Sequence, residues 1–232
     1  MLTECKLELV NDHLIINNGQ HLLLDTGSQM SFHHSGVLTF GENRFEVSTE
    51  IPGVSSQYLS EKVGCEINGI LGMDVINQIP ITISLEDGLF FLDDETDYPC
   101  CFQRYPLSPL AGGLLAVTLS VNGHKANMIV DTGAYISYIR SEYISGLTSH
   151  ATKNDFSPFF GDFQTEIYKC DVDSLTGHEV YAQDFGTPPQ NISMTLSLLN
   201  VDGVIGVDLF KRFRLQIKDG VIKTKKDLFD LS

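Results

Sequence analysis

The sequence of 232 residues is poor in cysteine and contains no long apolar run. Its five cysteines are an odd number and two of them, Cys100 and Cys101, are adjacent, so a disulfide framework is not expected. The apolar stretches are a few residues long, far short of the roughly 18 that span a bilayer, so we expect no membrane insertion. Charges occupy the N-terminal positions where a signal peptide has its apolar core, and the cytoplasm is therefore the default location.

Basic residues are also scarce, with 15 Lys and Arg against 30 Asp and Glu and a formal net charge of −15. This balance argues against nucleic-acid binding, acidic substrates and anionic membrane surfaces, which basic side chains would have to neutralise. The histidines near the start, namely His13, His21, His33 and His34, match no zinc-binding spacing. We therefore expect neither a metal nor a cofactor.

One passage occurs twice in the chain. Residues 22–28 read Leu-Leu-Leu-Asp-Thr-Gly-Ser, and residues 128–134 read Met-Ile-Val-Asp-Thr-Gly-Ala. Each copy follows an Asn-Gly turn signal and precedes an apolar-apolar-Gly-apolar-Asp segment, which ends at Asp74 in the first copy and at Asp208 in the second. Each of these segments leads into a hairpin signal with Asp-Gly at its centre. Four blocks in the same order indicate a duplication, and both Asn-Gly and Asp-Gly suit type I′ turns.

Between the two copies lies a segment rich in acid, proline and glycine, a composition that breaks both helix and strand. It divides the chain into a first half of residues 1–98, a linker of residues 99–106 and a second half of residues 107–232. Short β-rich runs alternate with turns elsewhere, so the class is predominantly β. Helical exceptions are predicted at residues 141–147 and after Asp74 and Asp208, which stand where helix N-caps are expected.

A single Asp-Thr-Gly is explained equally well by a tight turn after a strand, because Asp and Gly favour turns. Two copies, each with the same companions before and after it, are hard to obtain by chance. The paired motifs resemble the aspartic peptidases of the pepsin and retroviral-protease type, in which each half supplies one Asp-Thr-Gly. The resemblance covers both halves, and the chain has about the length of two retroviral protomers in tandem. It implies an all-β, bilobal acid-protease fold in which two retropepsin-like halves form a pseudo-dimer.

The resemblance makes Asp25 and Asp131 the candidate catalytic residues of an endopeptidase. Two carboxylates that share one proton can take a proton from water and give one to the peptide carbonyl oxygen. Gly27 and Gly133 would let backbone amides approach the carboxylates. By resemblance, Thr26 and Thr132 would cross-link the two loops through their hydroxyls.

The position after each glycine differs between the copies. In the family the side chain there lies beside the carboxylate, so we expect the hydroxyl of Ser28 to favour the charged form of Asp25. Ala134 offers no such donor, and Asp131 is then expected to hold the shared proton.

The second half is longer, with 77 positions from Asp131 to Asp208 against 49 from Asp25 to Asp74. The additional residues fall around an apolar hairpin signal, so we predict a substrate-covering flap there and no full flap in the first half. The predicted flap residues are Phe159, Phe160, Gly161, Asp162 and Phe163. A surface hairpin unrelated to substrate remains the alternative. The apolar flap predicts cleavage between large apolar residues and a loss of turnover in Phe160→Ala.

Two other functions compete with peptide hydrolysis. A catalytically silent peptide-binding module would keep the cleft without the reaction. An actin-like phosphotransferase also uses Asp, Gly and Ser or Thr in its loops, but this chain is short for that fold and lacks alternating strands and helices. On the peptidase reading the partner is a peptide or protein substrate, and the protein acts as a monomer because one chain supplies both aspartates. No long pro-segment is expected, since the first motif begins close to the start.

Overall fold

The computed structural model describes residues 1–98, 103–157, 161–173 and 180–226. The first part of the chain forms nine strands and two short helices. The strands are β1 (Thr3–Val10), β2 (His13–Asn17), β3 (His21–Leu24), β4 (Phe32–His33), β5 (Val37–Phe40), β6 (Asn43–Glu46), β7 (Gly69–Leu71), β8 (Ile81–Ser84) and β9 (Leu89–Leu92). The helices are α1 (Ser56–Val63) and α2 (Met73–Ile76).

The rest of the chain repeats this plan with a larger insertion. Its strands are β10 (Gln103–Pro106), β11 (Ser108–Pro109), β12 (Leu115–Val121), β13 (His124–Val130), β14 (Ser137–Ile139), β15 (Ala151–Ser157), β16 (Gly161–Asp173), β17 (Val180–Gly186), β18 (Gly203–Ile205), β19 (Phe213–Lys218) and β20 (Val221–Lys226). Its helices are α3 (Gln190–Leu198) and α4 (Asp208–Arg212), with 3-10 turns at Ala111–Gly113 and Ser141–Ile144. The predicted helix at 141–147 is thus a short 3-10 turn.

The strands form two large sheets and a small hairpin, and the larger sheet contains strands of both halves. Ten strands follow the order β10-β20-β19-β8-β9-β1-β2-β3-β7-β4, eight follow the order β11-β12-β13-β18-β14-β17-β16-β15, and β5 pairs with β6. The lobes are joined where β19 of the second half pairs antiparallel with β8 of the first, with Leu215 opposite Ile83. The chain therefore has the predicted bilobal, all-β acid-protease fold. No described helix is long and apolar enough to cross a bilayer.

The connecting segment is more ordered than its composition predicts. Asp94 is only 1% exposed and accepts hydrogen bonds from the Thr82 hydroxyl at 2.5 Å and the Tyr98 hydroxyl at 2.7 Å. From the second half, the Gln216 side chain donates to the Asp94 carbonyl at 3.0 Å. Residues 103–106 of the predicted linker form β10, which pairs with β20, while residues 99–102 lie outside the described part. Around Asp94, before β10 begins, hydrogen bonds of side chains take the place of the backbone pairing of a strand.

The turn predictions hold in the second half alone. At Asn122-Gly123 and Asp219-Gly220 both residues have positive φ, as a type I′ turn requires. At Asn18-Gly19 and Asp87-Gly88 only the glycine does. The equivalent dipeptides therefore close their hairpins in different ways.

The predicted N-caps at Asp74 and Asp208 are wrong. The caps are Gly72 and Val207, and each aspartate lies inside the first turn of its helix. Asp208 instead pairs with Lys211 at 2.9 Å.

Candidate active site

Equivalent strands present the two Asp-Thr-Gly loops. β3 ends one residue before Asp25, and β13 ends one residue before Asp131. β7 runs parallel to β3, and β18 runs parallel to β13, so each apolar-apolar-Gly segment crosses beside its Asp-Thr-Gly loop. The Asp25 amide donates to the Leu71 carbonyl at 3.0 Å, and the Asp131 amide donates to the Ile205 carbonyl at 3.0 Å. Each loop is thereby held at both its strands.

The structure brings the two aspartates together at the base of a cleft between the lobes. One oxygen of each carboxylate accepts hydrogen bonds from the backbone amides two and three residues later in the chain. These distances are 2.9 Å and 2.9 Å at Asp25, and 2.9 Å and 3.1 Å at Asp131. The four donors are Gly27, Ser28, Gly133 and Ala134. The paired amides fix the orientation of each carboxylate toward the other.

Each loop presses its glycine against the opposite carboxylate. A Cβ on Gly27 would lie 2.3 Å from the Asp131 carboxyl carbon, and a Cβ on Gly133 would lie 2.5 Å from an Asp25 carboxyl oxygen. Both distances are far below contact, so any side chain here would displace a carboxylate. Close approach is therefore the reason for glycine at both positions.

The two threonines connect the loops beneath the carboxylates. The Thr26 hydroxyl accepts from the Thr132 amide at 2.9 Å and donates to the Val130 carbonyl at 2.8 Å. Reciprocally, the Thr132 hydroxyl accepts from the Thr26 amide at 2.9 Å and donates to the Leu24 carbonyl at 2.7 Å. Both side chains are buried, and all four hydrogen bonds join different halves. The cross-link that the resemblance implies is present.

The two carboxyl groups have unequal surroundings. Burial raises the pKa of Asp25, while its amide donors and a hydrogen bond from Asp131 lower it. For Asp131, burial raises the pKa, the charge of Asp25 raises it further, and its amide donors oppose both effects. These directions favour a charged Asp25 beside a protonated Asp131, the arrangement expected when two carboxyl groups share a proton.

The expected role of Ser28 in that asymmetry is wrong. Its hydroxyl donates to the Met30 carbonyl at 2.8 Å, and the donors to the Asp25 carboxylate are the backbone amides of Gly27 and Ser28. Because the same amides are present at Ala134, the side chain at this position does not distinguish the two carboxylates. Burial raises the pKa of both carboxyl groups and both accept from equivalent amides, so the difference is the charge of Asp25, which raises the pKa of Asp131.

This arrangement predicts a pH-dependent difference in stability between the protein and Asp131→Asn. The folded pKa of Asp131 is raised, so its contribution to folding is full below the unfolded pKa, near 3.9, and is lost as pH rises through the folded value. Asparagine does not titrate, so a variant with asparagine at this position does not lose this stability as pH rises. The variant should therefore gain at least about 1 kcal/mol over the wild type between pH 4 and pH 8 in urea unfolding. Parallel stability curves for the two proteins would show that Asp131 does not titrate differently on folding.

A cavity of about 220 Å³ lies above the aspartates and is walled by both lobes. The first half contributes mainly aliphatic side chains from α1 and the strands beside it. The second half contributes Tyr135, Tyr138, Ile192 and Val204. Behind each wall lies a separate hydrophobic cluster of that half. The cavity is therefore largely apolar, with carboxyl groups at its base.

The predicted flap is a hairpin of β15 and β16 in the second half. Ser157 pairs with Gly161 and Phe156 with Asp162, on either side of residues 158–160, which are not among the described residues. Phe159 and Phe160 therefore lie outside the described residues, and Gly161 and Asp162 begin β16. Of the predicted flap residues that are described, Phe163 lines the cavity.

The hairpin reaches across the cleft to the first half. The ring of Phe156 lies 6.2 Å from that of Tyr58 and 6.3 Å from that of His13, and the Lys62 ammonium lies 5.2 Å from its centre. Lys62 also forms an ion pair with Asp162. Sequence reasoning selected the hairpin but missed Phe156, its cavity-lining contact with the first half.

The first half has no equivalent of this hairpin over the cavity. Its β5–β6 hairpin is short, and Phe40 of β5 belongs to the main hydrophobic core. Neither strand lines the cavity. This agrees with the prediction that the first half lacks a full flap.

Two buried serines that brace the loops were also missed. Ser31 accepts from the Gly72 amide at 2.8 Å, and Ser137 accepts from the Gly206 amide at 2.9 Å. Each therefore ties its Asp-Thr-Gly loop to the glycine of the crossing segment. In the first half Asp74 accepts from the Ser31 hydroxyl at 2.5 Å, which explains that carboxylate better than a cap. The available signal was a serine six residues after each aspartate.

No protein-family model matches the sequence, and no curated protein matches it. Among solved structures, the chain is similar to basic 7S globulin from soybean, with 9% identity, a TM-score of 0.53 and coverage of 99% of this chain and 97% of the globulin. A second match is a retropepsin-like aspartic protease from Rickettsia conorii, with 14% identity, a TM-score of 0.36 and coverage of 55% of this chain and 95% of the protease. The globulin match supports the acid-protease fold, because its likeness extends over nearly the whole of both chains.

Proposed function

We propose that this protein is an aspartic endopeptidase that hydrolyses peptide bonds with a water activated by Asp25 and Asp131. The charged carboxylate of Asp25 takes a proton from the water as its oxygen attacks the peptide carbonyl carbon. Asp131 gives its proton to the carbonyl oxygen, which forms a tetrahedral diol. The diol breaks down when Asp25 gives the proton it took from water to the leaving nitrogen, the C–N bond cleaves, and one hydroxyl of the diol returns a proton to Asp131.

The observation that carries this proposal is the mutual approach of the two carboxyl groups. Each is oriented by two amides and faces the glycine of the other loop. Two carboxyl groups this close at the base of a largely apolar cavity cannot both ionise easily, so the pair is set to hold one proton near neutral pH. Such an arrangement costs stability, and proton transfer is the chemistry that it serves best.

The test is incubation of the protein with a reduced, denatured protein substrate between pH 3 and pH 8. We expect cleavage with a bell-shaped pH dependence whose two apparent pKa values belong to the pair. A peptide containing statine, which mimics the tetrahedral intermediate, should inhibit it. A peptide-binding module without catalysis would instead bind the statine peptide and leave the substrate intact.

The flap contacts predict unequal effects for two neighbouring substitutions. Phe156→Ala removes the ring that meets the first half and lines the cavity, so we expect kcat/KM to fall roughly tenfold to a hundredfold. Asp162→Asn removes an ion pair whose carboxylate is 74% exposed, and such pairs contribute little. Its kcat/KM should change less than about threefold. Equal losses in the two variants would show that the ion pair contributes as much as the ring, contrary to this prediction.

The apolar cavity supports a substrate class of large apolar side chains in extended segments. The net charge of −15 disfavours acidic neighbours. Both aspartates come from one chain, so we propose activity as a monomer.

A further inference from the structure

The first-half wall of the cavity forms a pocket with a nearly continuous aliphatic lining. Its side chains come from α1, from the strands beneath it and from the loop before it. They are Leu23, Ile51, Val54, Leu59, Val63 and Ile70. All belong to one hydrophobic cluster, so they are held by packing with or without a ligand. A large side chain of a peptide bound at Asp25 and Asp131 would therefore meet a preformed apolar pocket.

His13 is the polar exception in this wall. It is the first residue of β2, and it lies on the same side of that strand as Ile15, which belongs to the cluster. The side chain lines the cavity and is only 6% exposed. Its Nδ1 is buried and, among the described residues, has no hydrogen-bond partner. A buried polar atom left without a partner is unfavourable. Nδ1 itself has almost no exposed surface, so a ligand relieves this only when the imidazole turns about its Cβ–Cγ bond and presents the nitrogen to the cavity.

The ring of His13 is set to be neutral. Burial lowers its pKa, and the charge of Asp12 opposes this as the smaller effect. A neutral imidazole has one donor and one acceptor nitrogen, and a hydroxyl can pair with either because it both donates and accepts. A carboxylate or an ammonium would bring a charge into an apolar pocket and lose its hydration. The matching group is therefore a neutral hydroxyl.

The shape of the pocket indicates what carries that hydroxyl. Phe156 lines the cavity and its ring lies tilted at 6.3 Å from that of His13, so an aromatic ring adjoins the aliphatic wall at this point. A flat ring packs well between such surfaces. We infer that this pocket selects tyrosine over phenylalanine in the bound peptide, with His13 forming a hydrogen bond to the phenol hydroxyl. The inference rests on the proposed function insofar as a peptide occupies the cleft.

Binding to a protein that cannot cleave tests the inference without requiring turnover. Asp25→Asn protein is titrated by calorimetry with pairs of octapeptides, each pair differing only by Tyr or Phe at one position in an otherwise Leu and Ala sequence. We expect about tenfold tighter binding of the Tyr peptide at one position, the gain of one hydrogen bond to an unpaired buried group. His13→Phe in the same background should reduce this ratio to near one. His13→Asn keeps a polar atom near the Nδ1 position and should retain part of it.

His33→Phe is the matched control. His33 is also a buried histidine, 1% exposed, with an unpaired ring nitrogen, but it does not line the cavity. Its replacement should leave the Tyr preference unchanged. Equal binding of Tyr and Phe peptides at every position, no binding of any peptide, or an unchanged preference in His13→Phe would overturn the inference.

The same peptides offered to the wild-type protein separate this inference from the proposed function. A Tyr preference in binding without any cleavage would support the pocket and contradict the peptidase. Cleavage without a Tyr preference at any position would support the peptidase and contradict the role of His13.

Discussion

Asp25→Asn and Asp131→Asn should each lower the turnover of a denatured protein substrate by at least about a thousandfold. Neither carboxyl group can both accept the proton of water and donate one to the carbonyl oxygen. Each carboxyl group changes the pKa of the other, so the two titrate as one unit. The double variant should therefore be little worse than either single variant, since groups that act as a unit are strongly non-additive.

Folding should survive both changes, because asparagine keeps the oxygen that accepts from the backbone amides. At neutral pH each variant should be at least as stable as the wild type, since the cost of charging a buried pair is removed. Circular dichroism and thermal unfolding check this alongside turnover. If either single variant kept most of its activity, the shared-proton mechanism would be wrong for this chain.

Gly27→Ala should abolish measurable turnover by a different route. The new Cβ would lie 2.3 Å from the Asp131 carboxyl carbon, so either that carboxyl group or the loop must move. A displacement of about 1 Å in a reacting group can cost roughly a hundredfold in rate, and overpacking costs about 1–3 kcal/mol in stability. Gly133→Ala should behave alike, with Asp25 as the displaced group.

Gly19→Ala is the control for loss of a glycine as such. Gly19 lies in a turn with φ of 94°, and a Cβ at this position would meet no atom within 4 Å apart from its chain neighbours. Alanine there should cost about 1 kcal/mol of stability through backbone strain, with full activity. Turnover by Gly27→Ala within tenfold of the wild type would show that the loops yield more readily than their packing indicates.

Threonine and serine show the limit of reading one loop at a time. The Thr26 and Thr132 hydroxyls each complete a hydrogen bond to a residue more than 100 positions away, and only the resemblance to the aspartic peptidases suggested that they meet. Ser28 follows the same motif, yet its hydroxyl turns to the nearby Met30 carbonyl. A hydroxyl has several acceptors within reach, and the chain path decides among them.

The duplicated Asp-Thr-Gly, its preceding apolar strand and its crossing apolar-apolar-Gly segment were determined by the sequence alone. These features depend on residues next to one another in the sequence. Three apolar residues form a buried strand, and glycine permits the close approach of another segment of the chain. The tertiary structure decided which groups face the cavity across the two halves. Phe156 of the second half meets α1 of the first, and His13 of β2 lies in the cavity wall close to Phe156, both through contacts between residues far apart in the sequence. Such contacts depend on the relative position of distant strands, which no local pattern of residue types encodes.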